Sequence, residues 1–147
     1  MMAEPEEIEI RLSSDPRWLQ VLRAAVGQIG QMAGLDAAAV DGLKLAMDEA
    51  CANIIRHGYE GETGQPIWAR LRLSSDCLEI RLRDFGRTVP AESIRPKPPD
   101  ASRPGGLGVH LMHCCMDEVA YREADGPGME LVMVKRLGPR PEERRGD

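Results

Sequence analysis

The chain has 147 residues, a formal net charge of -5 at pH 7 and 42% hydrophobic residues, which suits one soluble domain with a sizeable core. The acidic balance argues against a protein that coats nucleic acid, and aromatic residues at only 3% leave the core to Leu, Val, Ile, Met and Ala. No apolar run approaches the roughly 18 residues of a membrane span, and the acidic start Met1 to Glu7 is unlike a signal peptide, so a cytoplasmic location is expected.

Glu7 to Leu12 alternates polar and apolar residues, which predicts a strand with Ile8, Ile10 and Leu12 on one face. Ser14-Asp15-Pro16 reads as a helix start, and Trp18, Leu19, Leu22, Val26 and Ile29 form a helical stripe that ends near Gly34. Asp36 can cap a second helix running to about Arg56, with Val40, Leu43, Met47, Ala50 and Ile54 on its buried face. Gly58, Gly61 and Gly64 then give a loop. Ile67 to Leu73 and Leu78 to Arg83 alternate on either side of Ser74-Ser75-Asp76, the pattern of a hairpin.

Residues 87 to 104 change character. Pro90, Pro96, Pro98, Pro99 and Pro104, interspersed with Arg95, Lys97 and Arg103, predict a long basic loop. Gly105-Gly106-Leu107-Gly108 opens a third helix carrying Val109, Leu111 and Met112. Glu118 to Arg122 and Glu130 to Lys135 read as strands around the turn Asp125-Gly126-Pro127-Gly128. The Pro- and charge-rich stretch from 138 to 147 is expected to be a frayed tail, leaving a single domain over residues 1–137. Hairpins imply a largely antiparallel sheet, and helices with one apolar stripe must cover one of its faces, giving a two-layer α/β sandwich.

Cys51, Cys77, Cys114 and Cys115 form no CxxC pair and read as reduced, partly buried small residues. Three other places carry candidate chemistry. Glu49 and Asn53 lie four apart on one helix face. A carboxylate there can accept a proton, and a carboxamide oxygen can ligate Mg²⁺. By itself this reads as a solvated polar face, or as an Arg56 salt bridge with Asp48 or Glu49. Asp84-Phe85-Gly86 follows directly on a strand. The carboxylate is a natural acceptor for an adenine amino group, and Gly86 lets backbone approach a flat base, although an ordinary strand-ending turn has the same composition. Gly105 to Gly108 entering a helix presents backbone N–H groups to an anion, a reading about even with a glycine turn of no further function. It is neither a Walker A loop, which needs Gly-Lys-Ser/Thr, nor a Rossmann fingerprint.

Taken in order, these parts resemble the GHKL ATPase superfamily and, within it, the RsbW/SpoIIAB-type anti-sigma factor kinases. Leu45 to Tyr59, ending in Asn53-Ile54-Ile55-Arg56-His57-Gly58-Tyr59, looks like that family's N box. Asp84-Phe85-Gly86 resembles its first glycine box and Arg103-Pro104-Gly105-Gly106-Leu107-Gly108 its second, while Gly128-Met129-Glu130-Leu131 stands at its last strand. The resemblance runs from about Ile8 to Leu137. It implies a Bergerat-type fold with a mixed, largely antiparallel sheet and helices on one face, and ATP and Mg²⁺ as ligands. Glu49 would be the catalytic base, Asn53 the Mg²⁺ ligand and Asp84 the adenine acceptor. Gly86, Gly105, Gly106, Leu107 and Gly108 would line the nucleotide, with Lys97 and Arg103 of a lid spanning 87 to 104 near the terminal phosphate. The implied reaction is phosphorylation of a serine on a STAS-domain anti-anti-sigma protein. The resemblance also implies a sigma factor as the other partner and a homodimer, and no direct binding of nucleic acid or membrane is expected. Two positions depart from the pattern: Thr88 stands where many relatives have a second glycine, and Gln20, with Arg17 and Arg23 nearby, where relatives often have an arginine. Competing readings are a non-catalytic ATP- or sigma-binding module and a switch kinase acting on a scaffold protein. A sensor histidine kinase is disfavoured, because His57, His110 and His113 all fall within the ATP-binding region with no helix pair before it.

Overall fold

The computed structural model describes residues 4–90 and 111–138. Strand β1 (Glu6–Ser13) leads into helices α1 (Pro16–Met32) and α2 (Ala37–Asn53), and then into β2 (Pro66–Leu73), β3 (Cys77–Asp84), β4 (Glu118–Glu123) and β5 (Met129–Arg136). Residues 111–115 are helical, and the opening of that third helix at Gly105 lies outside the described residues.

Both long helices start where short acidic side chains can cap them. Asp15 accepts from the Arg17 N–H at 2.9 Å and Asp36 from the Ala39 N–H at 2.8 Å, each satisfying a donor the first turn leaves open. At the far end of α1 the Leu35 N–H reaches back to the Gly30 carbonyl (3.1 Å) and the Gly34 N–H to that of Gln31 (3.0 Å), which closes the helix. In the apolar stripe of α1, Leu22 and Val26 are fully buried and Leu19 and Ile29 partly so, whereas Trp18 in the first turn is 51% exposed. The second helix does not run on to Arg56 as an α-helix. From Ile54 to Gly58 it widens into a π-turn, in which the Tyr59 N–H bonds the Ile54 carbonyl at 3.0 Å.

The sheet order is β1-β2-β3-β5-β4, and every pairing is antiparallel. Alternation decides its two faces. Ile67, Ala69 and Leu71 of β2, Leu78, Ile80 and Leu82 of β3, and Leu131 and Met133 of β5 are buried with Leu22 and Val26 of α1 and Leu43, Met47 and Ala50 of α2. As the edge strand, β1 adds only Ile10 and Leu12 to that core, and Ile8 is 48% exposed. The opposite face is charged, with Glu9, Arg70 and Arg81 in one register row and Arg11, Trp68, Arg83 and Glu130 in the next. There Arg81 pairs with Glu79 at 2.7 Å and Arg11 stacks over the Trp68 ring at 3.8 Å. This is the expected two-layer α/β sandwich, with helices on one face only. No helix among the described residues is long and apolar enough to cross a membrane.

Two glycines of the β4–β5 turn separate backbone strain from crowding. Gly126 (φ +90) and Gly128 (φ +96) both adopt a conformation that side chains disfavour. Open space surrounds Gly126, whereas a Cβ on Gly128 would overlap the Asp84 carbonyl. Gly126→Ala is expected to cost about 1–2 kcal/mol, and Gly128→Ala clearly more. Equal losses in urea or thermal unfolding would show that the contact with Asp84 is not tight.

Candidate functional site

The end of β3, the π-turn after α2 and the start of β5 converge on Asp84, a carboxylate only 3% exposed. It accepts the Gly86 N–H at 3.0 Å and is also hydrogen-bonded by the Met129 N–H. These segments come so close because glycines lie between them. A Cβ on Gly58 would sit 3.1 Å from Asp84 Oδ1, one on Gly86 would overlap the Gly58 carbonyl, and Gly128 lies against the carbonyl of Asp84 itself. The Arg87 N–H closes the join by bonding the Gly58 carbonyl at 2.7 Å. Burial raises the Asp84 pKa above the ordinary Asp value of 3.8, and the two backbone N–H bonds and the nearby Arg83 charge oppose that rise.

Three side chains fix this frame. The Tyr59 hydroxyl donates to the Pro66 carbonyl at 2.5 Å and accepts the Phe85 N–H at 2.8 Å, so the tyrosine of His57-Gly58-Tyr59 joins the π-turn to β2 and to the end of β3. The Arg83 guanidinium donates to the carbonyls of Asp84 (2.5 Å), Pro127 (2.9 Å) and Asp125 (3.1 Å) and lies over the Phe85 ring. Thr88, the departure from the glycine pattern, accepts the Gly128 N–H at 3.0 Å and donates to its carbonyl at 3.3 Å, tying the start of the 87–104 segment to the β4–β5 turn. None of these roles for Arg83 and Thr88 was readable in advance, because each joins parts of the chain far apart in sequence.

Asn53 and Asp84 line one cleft, whose walls also include Ile54, Gly58, Tyr121 and Met129. Gly86 adjoins it through its bond to Asp84. Glu49 lies one turn before Asn53 on α2 and is half-buried, outside the lining of the cleft. Its neighbour Asp48 pairs with Arg23 of α1 at 3.2 Å, not with Arg56. Lys97, Arg103, Gly105, Gly106, Leu107 and Gly108 lie outside the described residues. The four cysteines are free, and burial pushes the Cys51 thiol up to about 12, as suits an inert core residue.

The residues present fit an adenine nucleotide. A buried acceptor carboxylate lines a cleft to which Ile54 and Met129 add apolar surface, and Gly58 beside it leaves its oxygens uncrowded. Asn53 is 5% exposed with its Nδ2 buried, so its carboxamide is held within the cleft wall. Among the described residues no three His, Cys, Asp or Glu side chains cluster to hold a metal. A Mg²⁺ here would take Asn53 as a protein ligand beside phosphate oxygens and water, since this ion keeps several waters and takes few protein ligands.

The raised pKa of Asp84 has a defined sign in stability. The folded state holds the proton more tightly than the unfolded chain, so this group's contribution falls as pH rises from 3.8 through the folded pKa and is constant above it. Asp84→Ala removes that contribution. Its stability relative to the parent protein, from urea unfolding at a series of acidic pH values, should rise with pH across the window. A difference that does not vary with pH would contradict the buried-carboxylate account.

Residues 12–135 match the histidine kinase-like ATPase domain family. A serine-protein kinase RsbW from Bacillus cereus (strain AH187) is 28% identical over 145 residues, covering 93% of this chain and 89% of the relative. Among solved structures, the RsbU and RsbW domains of Rv1364c from Mycobacterium tuberculosis align with a TM-score of 0.62 at 14% identity, over 90% of this chain and 32% of that one. The histidine kinase domain of the Erythrobacter litoralis EL346 blue-light activated histidine kinase aligns with a TM-score of 0.55 at 16% identity, over 82% of this chain and 60% of that one. This chain thus spans about a third of the first structure and 60% of the second, and both likenesses concern the fold alone. With a buried Asp84 at the end of β3, Asn53 at the end of α2 and the family match covering both, the chain belongs to the histidine kinase-like ATPase domain family.

Proposed function

We propose that this chain is an ATP-dependent serine protein kinase and anti-sigma factor of a bacterial partner-switching system. Its substrate in this reading is a serine on a STAS-domain anti-anti-sigma protein, and the unmodified form of the kinase sequesters a sigma factor. The observation that carries the reading is the cleft itself: Asp84, buried and met by two backbone N–H groups, faces the same space as Asn53. The likeness to the Bacillus cereus serine-protein kinase RsbW along 93% of the chain supports serine as the acceptor. In the same reading the protein is a cytoplasmic homodimer, its domain covers residues 1–137, and its output is control of transcription.

Bound ATP supplies the phosphoryl group, and Mg²⁺ neutralises charge on its phosphates. Phosphoryl transfer asks the protein mainly for positioning and electrostatics. Asp84, in its ionised form, accepts a hydrogen bond from the base amino group, while Ile54 and Met129 offer apolar surface to its ring. Asn53 contributes the neutral oxygen for the cation. Glu49, one turn earlier on α2, orients the incoming serine hydroxyl and accepts its proton. Lys97, Arg103 and the amides of Gly105, Gly106, Leu107 and Gly108 hold the phosphates.

Mg-ATP titration by calorimetry tests the cleft first. Asp84→Ala should weaken binding by about 1.5–3 kcal/mol, the range for a hydrogen bond to a charged group. Unchanged affinity would remove Asp84 from the nucleotide site. Glu49→Gln should bind Mg-ATP like the parent protein but transfer phosphate to a STAS-domain substrate about 10²- to 10⁴-fold more slowly. Normal transfer by that variant would show that Glu49 is not the base.

A further inference from the structure

Tyr121 is an unforeseen member of the cleft. It stands on the edge strand β4, paired with Leu131 of β5, and lines the same space as Asn53 and Asp84. Among the described residues, two buried side-chain atoms have no hydrogen-bond partner: Asn53 Nδ2 and Tyr121 Oη. Buried amide and hydroxyl groups are nearly always satisfied, so two orphans in one small cleft call for a common explanation. Their chemistry is complementary. The amide nitrogen can only donate, and a phenol oxygen can accept. Burial pushes the Tyr121 phenol up to about 12, and the adjacent Asn53 carboxamide opposes that rise. The group therefore stays protonated and neutral across the physiological range.

We infer that Tyr121 is the positioning residue for Asn53, its phenol oxygen taking the Nδ2–H and thereby fixing which edge of the carboxamide is left for a cation. A carboxamide is nearly symmetric in shape, so without such a partner its oxygen and nitrogen edges can exchange. The N–H edge, positively polarised and without an available lone pair, would repel Mg²⁺, whereas Oδ1 can ligate it. Partners that hold a metal ligand in one orientation commonly affect affinity as much as a weak ligand does. The frame that delivers Tyr121 is the one already described: Arg83 and Thr88 hold the β4–β5 turn against the end of β3. This inference rests on the reading of Asn53 as the Mg²⁺ ligand.

Tyr121→Phe keeps the ring and deletes only the hydroxyl. ATP binding is measured by calorimetry with Mg²⁺ and again with the metal chelated, for the parent protein, Tyr121→Phe, Asn53→Ala and the double variant. Tyr121→Phe should lose roughly tenfold in affinity for Mg-ATP, keep its affinity for metal-free ATP, and add nothing to Asn53→Ala. The Asn53 side-chain amide signals in ¹⁵N NMR should also move and exchange faster with water in Tyr121→Phe. Equal affinity in Mg²⁺, or an equal loss with and without metal, would overturn the positioning role while leaving the nucleotide site intact. A parent protein whose ATP affinity ignores Mg²⁺ would overturn the metal-ligand reading of Asn53, and this inference with it.

Discussion

An ionised carboxylate can be buried only where donors replace the water it gives up. At Asp84 those donors are the backbone N–H groups of Gly86 and Met129. They reach it because Gly58, Gly86 and Gly128 leave no side chain between three stretches of main chain. Much of the molecule can be seen as support for that contact. The π-turn brings Gly58 in from the helical layer, Tyr59 ties the turn to the sheet, and Arg83 holds the β4–β5 turn so that Gly128 stays against the Asp84 carbonyl. The helix-facing core then fixes the sheet on which all three depend.

The carboxylate that costs stability is the one that gives the cleft its polarity. Were Asp84 exposed, its interaction with a base amino group would compete with bulk water and be weak. Sunk below apolar walls, it presents a directional acceptor in a poorly hydrated space. The raised pKa and the expected selectivity for a donor-bearing base are two measures of the same desolvation.

The long elements were legible because periodicity and caps act locally. Asp15 and Asp36 cap their helices as their positions suggest, and the alternation of Ile67 to Leu73 and Leu78 to Arg83 gives the hairpin and its buried face. What sequence could not give is whatever depends on distant partners. The π-turn has no compositional mark that distinguishes it from one more turn of α-helix, so the sequence pattern carries α2 on to Arg56. The sheet position of β5, between β3 and β4, is set by pairing across long stretches of chain. In the site, the pairing of Asp84 with glycines is partly readable, since Asp84-Phe85-Gly86 and His57-Gly58-Tyr59 both carry their glycines in place. Tyr121 left no signal, because an aromatic residue in a short alternating strand is ordinary sheet composition.

The sheet order also bears on how such a domain can change over generations. Strands β3 and β5 are neighbours, yet the chain leaves at Asp84 and returns at Met129. The entropy of closing such an excursion grows only with the logarithm of its length, about 0.6 kcal/mol for each doubling. The same excursion delivers β4 to the sheet and Met112 and Met116 to the core, so changes of length or composition place little load on the fold only where they fall outside those parts. The cleft frame and the stretches of that excursion outside β4 and the core are separately heritable: selection can alter the latter for speed or discrimination while the former keeps the fold.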